Sequence, residues 1–226
     1  MANYHPSDEL LMSFSAGQMP DALGVIIACH LEKCSVCRER AAFYEQLGGQ
    51  ILMSTEPTPL APQILDKLLC ELDAEHNGAA NESQAPDESQ TSIITEIQQI
   101  KHLPKPLRRF VSKEFSQLPW AGMSKSLKEF ELPISGNGYT AKFYKISAGK
   151  ELPVHTHRGN EYTLVLDGSF SDTAGEYHQG DFILADTQTI HQPKAANDAD
   201  CICFAVTDAP LKMTGFFGRM LNPFLK

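Results

Sequence analysis

Residues 74–92, AEHNGAANESQAPDESQTS, carry no large apolar side chain. Such a stretch cannot bury enough surface to offset the entropy of ordering it, so it reads as a flexible acidic linker. What constrains the fold is that the apolar pattern changes across it. Before the linker, apolar residues recur at helical spacing: Leu10, Leu11 and Phe14, then Leu23, Ile26 and Ile27, then Val36, Phe43 and Leu47. Pro20 and Asp21 supply a turn and a helix start, and Leu47-Gly48-Gly49 is expected to close the third of three short helices. After the linker, IITEIQQIKHLPKPLRRF reads as a helix broken at Pro104. From about Ser126 the period shortens to that of strands in YTAKFYKIS, YTLVLDGSF, DFILAD and CICFAV, punctuated by SGNG, DGS and HQG. The expected architecture is α+β in two domains: a small helical domain at residues 1–75, a linker at 76–92, and an all-β sandwich or barrel at 93–226.

A fourth helix is expected after Pro62, in PQILDKLLCELDAE, with Ile64, Leu65, Leu68, Leu69 and Leu72 on one stripe. That stripe fits either a helix packed on its own domain or an amphipathic arm that clamps a partner.

Charge narrows the partners. The 226-residue chain has a formal net charge of −9 and a pI near 5.3, which argues against direct contact with nucleic acid and leaves a basic protein partner open. No window approaches the roughly 18 consecutive apolar residues of a membrane span, and MANYHPSDEL is polar rather than leader-like, so a cytoplasmic location is expected. There the six cysteines at 29, 34, 37, 70, 201 and 203 stay reduced, and a tight Cys/His pattern favours metal over disulfide.

Such a pattern stands in CHLEKCSVC, residues 29–37. If it spans a helix end and the next helix start, His30 and Cys34 share a face and Cys37 follows three residues on, so all three reach one point. Thiolate and imidazole are ligands that zinc prefers, and a structural zinc site wants four. His5, just before the first helix, is the favoured fourth ligand, with Cys29 as the fallback although it points about 100° away from His30. A histidine near the N-terminus followed by H-x3-C-x2-C across a helix junction resembles the zinc anti-sigma domain. That resemblance implies zinc on His5, His30, Cys34 and Cys37.

The second constellation is GKELPVHTHRGNEYTLVLDG, which fits G-x5-H-x-H-x3-E-x6-G through Gly149, His155, His157, Glu161 and Gly168. On a strand His155 and His157 share a face, and Glu161 adds a carboxylate, a nitrogen and oxygen set suited to zinc, iron, manganese or nickel. The spacing is similar to the first motif of the cupin family, which implies a jelly-roll barrel. The family's second motif supplies a further histidine, and GDFILADTQTIHQPKA keeps Gly180 and His191 in place but has Asp186, Gln188 and Ala195 where Pro, Gly and Asn are usual. His191 is therefore expected as the fourth ligand. A surface histidine set on a barrel that has lost its metal is the alternative. His178 fits no ligand position and reads as an exposed turn residue, His76 and His102 have no assigned role, and Cys201 and Cys203 read as small buried apolar residues sharing a strand face.

A zinc anti-sigma head followed by a cupin domain resembles the ChrR family of anti-sigma factors along nearly the entire chain. The resemblance implies a head that masks an extracytoplasmic-function (ECF) sigma factor and a cupin domain required for its release by an oxidant such as singlet oxygen. A small molecule or oxidant signal at the cupin metal belongs to the same expectation. The alternative is a metal-dependent cupin dioxygenase or isomerase acting on a small molecule, for which the sequence names no substrate and no general base.

Overall fold

The structure, a computed structural model, describes residues 2–59, 61, 63–79, 103–111, 113, 115–122, 124, 126–134, 138–209 and 211–213, with backbone alone at 74–79 and 211–213. Four α-helices precede residue 80: α1 (Asp8–Ser15), α2 (Asp21–Lys33), α3 (Ser35–Ser54) and α4 (Gln63–Ala79). The Ser7 hydroxyl caps α1 by accepting from Leu10 N, and Asp8 and Glu9 complement the positive end of its dipole. Cys34 alone separates α2 from α3, its extended backbone (φ −104°, ψ 107°) turning the chain between them. Contrary to the reading of LGG as a stop, α3 runs through Gly48 and Gly49 to Ser54. Glycine costs a helix interior about 1 kcal/mol without blocking it, and Phe43, Leu47 and Ile51 keep one apolar face across the pair. Helix α4 extends to Ala79, past the expected linker start at 76, and the rest of that linker lies outside the described residues. So do residues 93–102 of the expected broken helix, while Lys105–Leu107 after Pro104 form a 3-10 turn.

The second half is antiparallel throughout. Its strands are β1 (Ala121–Gly122), β2 (Leu127–Glu131), β3 (Thr140–Ile146), β4 (His155–His157), β5 (Glu161–Asp167), β6 (Ser169–Ser171), β7 (Glu176–His178), β8 (Phe182–Ala185), β9 (Lys194–Ala195), β10 (Cys201–Thr207) and β11 (Leu211–Met213). They form a six-stranded sheet in the order β1-β2-β3-β10-β5-β8, a three-stranded sheet β7-β6-β9 and the pair β11-β4. This is the fold class expected, a helical region followed by a cupin-like β domain.

Both faces of the large sheet are covered. Along β10 and β5 the residues Ile202, Phe204, Val206, Leu164 and Leu166 point one way, into a core they share with Leu23, Ile26 and Ile27 of α2. Cys201, Cys203 and Val165 point the other way, packing with Ile146, Phe170 and Tyr177 inside the β domain. Helical and β residues thus share one apolar core. The N-terminal segment adds to it: Tyr4 O accepts from Phe182 N at 3.1 Å, and the Asp181 carboxylate, 1% exposed, accepts from Asn3 N and Tyr4 N.

Candidate metal centres

His5, His30, Cys34 and Cys37 offer ligand atoms that all lie within 4.8 Å of one another. The fold produces this in three steps: α2 ends with His30 in its last turn, Cys34 turns the chain, and Cys37 sits in the first turn of α3. His5 arrives from the extended segment before α1. Its Nδ1 lies 3.4 Å from both Cys34 Sγ and Cys37 Sγ. Arms of about 2.3 Å to sulfur and about 2.0 Å to nitrogen put the edges of a zinc tetrahedron near that length.

The tautomer of His30 supports the same reading. Its Nδ1 lies 2.9 Å from the Gly180 carbonyl, which can only accept, so Nδ1 carries the proton and Nε2 presents a lone pair. That Nε2 is buried with no hydrogen-bond partner among the described residues. A buried acceptor aimed at two thiols and a second imidazole fits a cation. Burial pulls His30 down to about 4, keeping it in the neutral, ligand-competent form. Burial with the neighbouring Cys34 thiol pushes Cys37 up to about 12, so a metal has to displace its proton. Cys29 is fully buried in the core and stands outside the cluster.

In the β domain His155, His157 and His191 converge. His155 and His157 lie on β4, and His191 is brought alongside by the paired bridge His155↔His191. The Nε2 of His191 lies 3.0 Å from that of His155 and 3.2 Å from that of His157. Two further hydrogen bonds fix the tautomers: His155 Nδ1–H donates to Pro153 O, and His191 Nδ1–H donates to Asp172 Oδ2, each at 3.0 Å. Both Nε2 atoms therefore carry lone pairs that face each other at 3.0 Å, an arrangement that repels unless a cation lies between. Burial lowers His155 to about 4 and, with His155 and His191 alongside, His157 to about 3. The donor set fits a divalent metal.

Glu161, expected as a ligand, is not brought into this group of atoms. Its Oε1 accepts from the Thr163 hydroxyl at 3.1 Å, its Oε2 lies 3.8 Å from His157 Nδ1, and burial pushes its carboxyl up to about 7. It lines the same cavity as His155 and His191, a space of about 70 Å³ walled mainly by apolar groups that include Leu152, Phe170, Ile183 and Cys203. Sequence reasoning missed Asp172, whose only signal was an acidic residue in the SDTAG turn. One of its oxygens holds His191, and the other accepts from Ala174 N at 2.8 Å and from the Tyr177 hydroxyl at 3.3 Å. The missing proline and glycine of the second motif are replaced by Asp186, whose Oδ1 accepts from Gln188 N, Thr189 N and the Thr189 hydroxyl, closing the turn before His191. Cys201 and Cys203 are buried with their sulfurs 3.7 Å apart. His178 is exposed beside Glu176, and the side chains of His76 and His102 lie outside those described.

Away from both clusters the helices present apolar surface. Phe43, Leu47, Ile51 and Leu52 on α3 are 47–73% exposed, and Ile64, Leu65, Leu68, Leu69 and Leu72 on α4 are 41–63% exposed. Every described side chain of α4 is exposed, so none of them is buried against another described element. No helix among the described residues is long and apolar enough to cross a membrane.

Comparison with known proteins matches residues 109–210 to the ChrR cupin-like domain. The chain is 31% identical over 223 residues to the anti-sigma-E factor ChrR of Cereibacter sphaeroides, covering 99% of this chain and 98% of that protein. It is also similar to the solved structure of Rhodobacter sphaeroides SigE in complex with the anti-sigma ChrR, with a TM-score of 0.75 at 31% identity, covering 92% of this chain and 100% of the matched chain.

Proposed function

The chain belongs to the ChrR family of anti-sigma factors, and from that premise we propose that it sequesters an ECF sigma factor and releases it when an oxidant such as singlet oxygen acts at the β domain. The observation that carries this reading is the open apolar surface of α3 and α4, on a chain similar over nearly its full length to an anti-sigma factor whose complex with a sigma factor is solved. Leucine, isoleucine and phenylalanine side chains left half in water form a groove-filling surface for partner helices. A net charge of −9 steers such a chain toward a basic protein surface. The reading places the protein in the cytoplasm, with its partner.

The N-terminal cluster holds zinc through His5, His30, Cys34 and Cys37, which cross-links α2, α3 and the segment before α1. The second cluster holds zinc, iron, manganese or nickel through His155, His157 and His191, with Glu161 bordering the site as the fourth group. A metal there supplies a Lewis-acid centre facing the cavity. The protein residues do the rest: Asp172 and the Pro153 carbonyl hold two imidazoles in the coordinating tautomer, and the apolar wall excludes most water. Metal-dependent dioxygenase or isomerase chemistry is the second reading, favoured by that cavity, which has room for a small molecule beside the histidines.

The regulatory reading is tested by purifying the zinc-loaded full chain with each ECF sigma factor of its host. A stable one-to-one complex with one of them is expected. Failure to bind any of them contradicts it.

A further inference from the structure

Two of the four N-terminal residues, His30 on α2 and His5 in the segment before α1, are tied to the β domain. His30 donates from Nδ1 to the Gly180 carbonyl at 2.9 Å, and its ring stands edge-on to Phe182 at 5.9 Å. Gly180 adopts φ +95°, a conformation that favours glycine, and so shapes the turn that offers this carbonyl. His5 follows Tyr4, which is pinned on three sides. Tyr4 N donates to Asp181 Oδ1 at 3.1 Å, Tyr4 O accepts from Phe182 N at 3.1 Å, and the Tyr4 ring lies 4.7 Å from that of Tyr177. Asp181 is 1% exposed, and its second oxygen accepts from His178 N at 2.8 Å. A fully buried carboxylate thus joins the β7–β8 turn to the segment that delivers His5. By contrast, Cys34 and Cys37 are set by the α2–α3 junction.

We propose that the 178–182 turn is a working part of the N-terminal metal site, with Asp181 as a positioning residue, so that the metal is held at full affinity only while the β domain is docked on the helical head. This rests on the reading that the cluster binds metal. Groups that fix the orientation of a ligand are worth about 10–100-fold in metal affinity. The docked face, formed by α2 and the N-terminal segment, uses different side chains from the apolar surface of α3 and α4. The β domain therefore does not need to compete with a partner for those helices. It reaches α3 through the metal cluster, because Cys34 and Cys37 sit at the start of that helix. The connection also runs to the second cluster, since the Tyr177 hydroxyl bonds Asp172, which holds His191.

The test uses the full chain loaded with zinc, titrated with a chelator, with metal release and alkylation of Cys34 and Cys37 read together. Asp181→Asn and Tyr4→Ala are each expected to release the N-terminal metal at about 10–100-fold lower chelator concentration and to alkylate faster. Asp200→Asn, which alters a carboxylate serving Ala148 N and Lys145 within the β domain, is expected to match wild type. If Asp181→Asn fails to fold, Tyr4→Ala decides, because Tyr4 lies in the N-terminal segment outside every helix and strand. Wild-type metal retention in the folded variants overturns the proposal and leaves the zinc reading intact, and an equal loss in Asp200→Asn overturns it as general destabilisation. If wild type and Cys34→Ser/Cys37→Ser carry the same metal count, the zinc reading falls and this proposal falls with it.

Discussion

At the scale of single residues, chemistry here is set by which nitrogen of a histidine is tied down. His30, His155 and His191 each spend Nδ1–H on a fixed acceptor, leaving Nε2 to face other donors of lone pairs. Of these acceptors, Asp172 is the one side chain, so it offers the cleanest test. Asp172→Asn is expected to weaken metal binding at the histidine triad by about 10–100-fold, with the N-terminal metal retained, as read by metal content after chelator titration. Unchanged content would mean that the carboxylate serves only its own turn. Of the seven ligand atoms that converge, five were legible because H-x3-C-x2-C and H-x-H encode their geometry in a helix junction and a strand, whereas His5 and His191 were legible only through the family patterns that the two motifs resemble. Asp172 was not legible, because it comes to His191 through strand pairing 19 residues away. Glu161 was legible as a motif position, yet its carboxylate turns to Thr163, a choice that spacing alone cannot encode.

At the scale of elements, α2 and α4 have opposite fates. Helix α2 has seven buried residues and is covered on the sheet side, whereas the described side chains of α4 are all exposed. The stripe at Ile64, Leu65, Leu68, Leu69 and Leu72 is therefore available to a partner, as is Phe43 on α3. Phe43→Asp with Leu68→Asp is expected to weaken sigma-factor binding by about 100-fold or more while leaving thermal stability near wild type, since neither side chain is buried in the free chain. Calorimetric titration against the cognate sigma factor checks this, and wild-type affinity would exclude these faces from the interface. The strand runs carried a signal that alternation obscured. CICFAV is apolar at six consecutive positions, the mark of a strand buried on both faces. Read that way, it demands a second layer over the sheet, which α2 supplies.

At the scale of the whole molecule, the acidic stretch marks where the chain changes period but not where the core ends. Linker composition says that a segment does not pack; it says nothing of whether its flanks pack on each other. Leu23, Ile26 and Ile27, whose helical spacing shows in the sequence, share one core with the sheet. The buried histidines also tie stability to pH across both halves. His30, His155 and His157 are lowered to about 4, 4 and 3, while in the unfolded chain each takes a proton near pH 6.5. In metal-free protein the stability they contribute is complete above about pH 6.5 and is lost as pH falls toward about 4. Glu161, raised to about 7, acts in the opposite sense, its contribution lost as pH rises from about 4.5 to about 7. Three groups against one leave a net loss on acidification. The urea midpoint of chelator-treated protein is expected to fall between pH 6.5 and 4.5, and a flat profile would contradict the burial of these rings.

The central claim, that this chain keeps a sigma factor from transcribing, is tested most directly by run-off transcription with core polymerase and the cognate ECF sigma factor. The metal-loaded full chain, added in increasing amount, is expected to abolish the transcript near one equivalent of the sigma factor and to restore it after exposure to singlet oxygen. Undiminished transcript at a large excess of the loaded chain would contradict the account.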